Sequence, residues 1–97
     1  MKAVAWHPAA EHEMDVALGA SPDAEEFREA LSVALDDVAS GLVTPALVEG
    51  TPCRECGLPR PYPYSFVYLE TADTIYVVAL PHHKRKPNYW LNRVPKA

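Results

Sequence analysis

Apolar positions recur along this chain with two different periods, and the change of period divides it. Residues 2–6 alternate weakly and suit a short first strand, which His7-Pro8 ends. A proline is favoured in a first helical turn, so a helix is expected to start there and run to about Leu18, with Ala10, Met14, Ala17 and Leu18 on one face and Gly19 as its stop. Ser21-Pro22-Asp23 reads as an N-cap, a first-turn proline and an acid that complements the helix dipole. Phe27, Leu31, Ala34, Leu35 and Val38 follow at helical spacing until Gly41. From there to Pro63 the chain is dense in proline and glycine, which excludes a helix and leaves room only for a short strand around 53–58, with a bulge expected at Gly57.

The period then becomes that of strands. Residues 64–70 and 74–80 are β-branched and aromatic runs, separated by Thr71-Ala72-Asp73, and are expected to form an antiparallel hairpin. The order is β-α-α-β-β-β. Helices segregated ahead of a strand meander predict an α+β fold, a two-helix hairpin packed on a small antiparallel sheet. Ninety-seven residues suit one domain over 1–97. The first residues are too short an apolar stretch for a signal peptide, and no later one approaches a membrane span, so a cytoplasmic protein with no membrane contact is expected.

Charge is divided unevenly. Residues 1–50 carry ten acids against Lys2 and Arg28, whereas residues 51–97 carry Glu55, Glu70 and Asp73 against Arg54, Arg60, Lys84, Arg85, Lys86, Arg93 and Lys96. The acids of the front half, including Glu11, Glu13 and Asp15, read as solvated helix faces. The cations concentrate behind the last strand, in His82-His83-Lys84-Arg85-Lys86-Pro87-Asn88-Tyr89-Trp90-Leu91-Asn92-Arg93. A buried strand delivering such a cluster holds it at one end of a sheet. Arg85, between that strand and Pro87, is placed to stack on Tyr89 or Trp90 and still offer its fork to a ligand.

Cys53 and Cys56 form a Cys-x-x-Cys. The spacing alone would fit a redox pair or half a zinc site, but Gly57 and Pro59 follow where a helix would be needed, and His82-His83 would point to opposite sides of a strand. Two free strand thiols, no metal and no cofactor are expected.

His7-Pro8-Ala9-Ala10 with Glu13, the helix around Phe27, Pro45, Arg54, Tyr62-Pro63-Tyr64-Ser65-Phe66-Val67-Tyr68, and above all His82 to Trp90 with Arg93, resemble the RelE/ParE superfamily of toxins in type II toxin–antitoxin pairs. The resemblance spans nearly the whole chain and is closer to ParE-like members. It departs from the pattern in a shorter stretch between Ala10 and Phe27, implying a clipped helical hairpin, and in Pro61, an extra residue before Tyr62-Pro63-Tyr64.

The resemblance implies a growth-arresting toxin neutralised by a cognate antitoxin. ParE-like members inhibit DNA gyrase, and RelE-like members cleave mRNA on the ribosome without a metal. Cleavage needs a base for the 2′-hydroxyl, cations for the phosphorane and an acid for the leaving oxygen. His82, His83, Arg85 and Tyr89 are the candidate catalytic groups for that chemistry. Arg54, Arg60, His83, Lys84, Arg85, Lys86, Tyr89 and Arg93 are the candidate contacts to a protein target or to nucleic acid. Ribosome-dependent nucleases of the superfamily that the chain resembles tend to be basic throughout. An acidic pI of about 5.4, with most lysines and arginines in one tail, therefore weighs toward the gyrase reading. A ribosome-dependent nuclease, and a non-toxic member that only binds an antitoxin, are the alternatives.

Overall fold

The computed structural model describes residues 1–95; Lys96, one of the cations counted above, lies outside them. Strand β1 (Ala3–Trp6) leads into helices α1 (Pro8–Ala20) and α2 (Ala24–Ala39), followed by strands β2 (Arg54–Gly57), β3 (Ser65–Glu70) and β4 (Thr74–Ala79) and a 3-10 turn (Leu91–Arg93). The expected element order and α+β class are those observed. One four-stranded sheet has the order β1-β4-β3-β2, antiparallel except where β1 runs parallel to β4. Parallel neighbours need a long crossover, which everything between the two strands supplies here.

Local expectations fared unevenly. Gly19 does not stop α1, because a glycine ends a helix by adopting a positive φ, and the glycines that do so are Gly41 and Gly50. Instead Ser21 closes α1, its backbone N–H reaching the Leu18 carbonyl and its hydroxyl the Ala17 carbonyl. The cap of α2 is accordingly Asp23, whose carboxylate accepts from the Glu26 N–H at 3.0 Å. The bulge also lies elsewhere. Val67 stands opposite Ala79 while Tyr68 stands opposite Val77, so Val78 is an extra residue in β4 and Gly57 pairs regularly with Ser65.

The sheet is covered on both faces. Phe66, Tyr68, Ile75 and Val77 meet Ala10 and Ala17 of α1 and Phe27, Leu31, Leu35 and Val38 of α2. On the other face Val67, Val78 and Ala79 pack with Cys53 and Trp90. The bulge makes this second core possible, because it turns Val78 and Ala79 to the same side. Trp90 is 3% exposed, so the segment after β4 is strapped across the back of the sheet. No described helix is long and apolar enough to cross a membrane.

Candidate functional site

The site is built where β4 ends. Its strand pairing continues past Ala79 through a bridge between Tyr64 and His82, and the His83 N–H donates to the Pro63 carbonyl at 2.8 Å. The basic cluster is therefore tied to the opening of β3. His82 packs edge-on against Tyr64, with ring centroids 5.0 Å apart, and its Nδ1 accepts from the Lys84 N–H at 3.1 Å. His83 points the other way, its Nε2 lying 3.2 Å from the hydroxyl of the buried Ser65. Adjacent strand residues face opposite sides, so the two imidazoles serve different surroundings.

Asn88 takes a φ of 60°, a left-handed turn that asparagine tolerates better than bulkier residues. The chain reverses there, sending Trp90 into the second core and the Tyr89 hydroxyl to Glu13 at 2.9 Å. The Arg85 guanidinium lies over the Tyr89 ring, 4.1 Å from its centroid, and remains exposed, as expected from the sequence. Lys84 and Lys86 are exposed beside it.

Sequence reasoning missed the organising residue. Glu13 accepts from the Leu80 N–H at 3.0 Å, from Tyr89 Oη, and from both terminal nitrogens of Arg93 at 3.1 and 3.0 Å. Arg93 also donates to the Val78 carbonyl at 3.0 Å. Far from belonging to a solvated face, this carboxylate ties α1, β4 and the terminal strap together. A signal for it existed: Glu13 lies three residues after Ala10 and four before Ala17, on the stripe that both bury.

Burial pushes the Glu13 carboxyl upward, but the hydrogen bonds from Arg93, Leu80 and Tyr89 and the guanidinium charge outweigh it and leave the carboxyl below its ordinary value. Arg93 is raised in turn, chiefly by its hydrogen bond to Glu13. Tyr89 is pushed up to about 12, first by burial and then by donating to a carboxylate. These three groups are held in single protonation states around neutrality.

The candidate residues fall into a cluster at the end of β4, a tie to Glu13 that shares Tyr89 with it, and two outlying arginines. His82, Arg85 and Tyr89 come together, and His82 and Arg85 line both hollows at this end of the molecule. One, of about 260 Å³, also takes in His83 and Lys86; the other, of about 380 Å³, takes in Glu13 and Arg93. Tyr89 and Arg93 are spent on the Glu13 tie. Arg54 and Arg60 lie apart from the cluster. Arg54 donates to the Pro45 carbonyl and sits 3.7 Å from Glu70, holding the proline-rich loop to β2, and Arg60 is exposed in the loop ahead of β3.

Cys53 belongs to the second core and Cys56 packs on the first, and both thiols are free. The sheet itself separates them. Among the described residues no three His, Cys, Asp or Glu side chains come together to hold a metal ion.

No protein-family model matches the chain, and no curated protein matches it. Among solved structures it is similar to a chain from the chromosomal ParDE TA system of P. aeruginosa, with a TM-score of 0.67 and 14% identity over 84% of this chain and 96% of that one. At this identity the likeness is one of fold, and it extends over most of both chains.

Proposed function

We propose that this chain is a cytoplasmic, single-domain toxin of a type II toxin–antitoxin pair, which arrests growth by binding and inhibiting DNA gyrase and is neutralised by a cognate antitoxin. The fold likeness to a ParDE chain over 84% of the sequence supports the toxin half of this reading. The observation that carries the choice of target is the Glu13 tie. Metal-independent RNA cleavage needs groups that exchange protons near neutrality. Tyr89 is pushed up to about 12 with its hydroxyl committed to Glu13, and Arg93 is forked onto the same carboxylate. One nitrogen of each candidate histidine is also engaged, with Lys84 or Ser65. What stays available is a compact patch of exposed cations, Lys84, Arg85 and Lys86, which suits docking on an acidic surface.

Expression of the chain alone is expected to arrest growth, and co-expression of the protein encoded beside it to restore growth. Purified chain is expected to inhibit supercoiling by gyrase, with no new cuts in translated mRNA on primer extension. Cuts that disappear in His82→Ala or Arg85→Ala would replace the gyrase reading with the nuclease reading. Normal growth with folded chain present would leave only the non-toxic, antitoxin-binding alternative.

A further inference from the structure

A hollow of about 700 Å³ lies between α2 and the β2 edge of the sheet, and neither lysine nor arginine lines it. Its floor is apolar, with Ala30, Val33 and Ala34 of α2 facing Val43 and Leu58. Val33 and Val43 are 50% and 41% exposed, a large apolar area left to solvent. Beyond the bridge from Leu47 to Arg54, no described strand pairs the outer edge of β2. At Tyr62 and Glu26 this groove runs into a second hollow of about 550 Å³, walled by Phe27, Tyr62 and Tyr64. The two form one path along α2.

Four carboxylates follow that path: Asp23, Glu26, Glu29 and Asp37. No lysine or arginine lines either hollow, and none of these acids takes part in an ion pair among the described residues. The opposite charge lies past the far end of the path, beyond His82, which also lines the second hollow, in Lys84, Arg85 and Lys86. An acidic partner segment suits that end and would be repelled here.

We propose that the α2 groove is the docking site for one linear segment of a second polypeptide whose apolar side chains are flanked by lysine or arginine. Apolar residues of the segment cover Val33 and Val43, and its cations meet Glu26, Glu29 and Asp37. Desolvating the apolar floor supplies affinity, and the acidic rail sets direction and excludes acidic segments. The inference rests on the toxin reading in one respect, that the segment belongs to the antitoxin. Since the basic end calls for acidic chemistry, the partner's two contact regions carry opposite charge.

The test takes the full chain and the protein encoded beside it, and measures first whether they pair and then which overlapping peptides of that protein bind. The expected binder is basic and apolar, and shifts the NMR signals of Ala30, Val33 and Val43. Glu26→Lys with Glu29→Lys, both exposed and outside the core, is expected to weaken pairing by about a hundredfold, as placing like charges across an interface does. Lys→Glu changes in the partner segment should restore it.

Pairing unchanged by this double reversal, or a binding peptide whose shifts fall only on residues 82–93, would overturn the groove and leave the toxin reading standing. Binding of a second copy of this chain through its own Lys84–Lys86 end, seen as a self-association that the double reversal abolishes while pairing is unaffected, would overturn the choice of occupant. Absence of any pairing would overturn both readings together.

Discussion

Arg93 closes on Glu13 across eighty residues of chain, its two terminal nitrogens 3.1 and 3.0 Å from the two carboxylate oxygens. Both side chains are largely removed from water, at 15% and 13% exposure. The pair is the clasp of the strap that covers the second core. Removing either partner leaves the other half-buried and uncompensated. Glu13→Ala and Arg93→Ala are each expected to cost about 2–3 kcal/mol, within the range for charged hydrogen bonds and below that of a fully buried pair. For a domain of this size that is a fall of roughly 10 °C or more in Tm. The double variant should cost clearly less than the two single costs added, which thermal denaturation of all four proteins will measure. Strict additivity would show that the clasp is not a coupled unit.

The same clasp gives stability a dependence on acid. Glu13 titrates lower in the folded chain than in the unfolded one, where its ordinary value is 4.5. Its contribution is therefore fully present above about pH 4.5 and is lost as the pH falls through the depressed folded value. Glu13→Gln should remove that part of the acid sensitivity while keeping the shape of the side chain. Denaturant midpoints measured from neutral pH downward are expected to fall less steeply for this variant than for the parent. Identical slopes would mean that another carboxylate governs acid unfolding.

At the alkaline end the sign is reversed. Tyr68 and Tyr89 are both raised from 10.0 to about 12, each first by burial, so the folded state holds them protonated where the unfolded state ionises. Their contribution is complete below pH 10 and is lost between 10 and 12. Tyr89→Phe should shed its share of this loss and delete one late-titrating phenol from the absorbance titration. It should also release Glu13 from one hydrogen bond. A phenol missing from the ordinary range near 10 would contradict the burial of Tyr89.

Much of this was written in the sequence where one physical rule acts alone. The helical stripe from Phe27 to Val38, the hairpin of β3 and β4 and the stacking of Arg85 on Tyr89 follow from local period and from the reach of neighbouring side chains. The expectations that failed concern competition between neighbours. Ser21 and Asp23 were both competent caps, and which one begins α2 was decided by Ser21 being taken up at the end of α1. For Glu13 the local stripe marked a place on the buried face but not its partners, since its four donors come from residues 80, 89 and 93, which no local pattern connects to it. The parallel seat of β1 beside β4 is likewise a property of the closed sheet.

Arg85 differs from Arg93 in what its loss should do. Its guanidinium lies over Tyr89 but has no carboxylate partner among the described residues, so Arg85→Ala should cost at most about 1 kcal/mol of stability, the scale of an exposed cation–π contact. Its effect on the target should be larger. In a growth-arrest assay with matched protein levels, Arg85→Ala is expected to relieve arrest, and Arg85→Lys to relieve it partly, because lysine keeps the charge and loses the planar fork. Full arrest by Arg85→Ala would remove this residue from the target surface.

Cys56 reports on the α2 groove and Cys53 on the second core beneath the strap. Cys56 lines the groove and is partly exposed, whereas Cys53 is fully buried in the second core. Burial raises both thiols, and Asp37 raises Cys56 further, so each presents little thiolate and reacts slowly for a free cysteine. Alkylation followed by mass spectrometry is expected to label Cys56 first and Cys53 only when the strap or the whole fold opens. Glu13→Ala, which loosens the strap, should speed labelling of Cys53 more than that of Cys56. Partner binding along α2 should do the converse, protecting Cys56 and leaving the rate at Cys53 set by the clasp. Equal protection of both thiols would mean that the partner acts by stabilising the whole fold rather than by covering the groove.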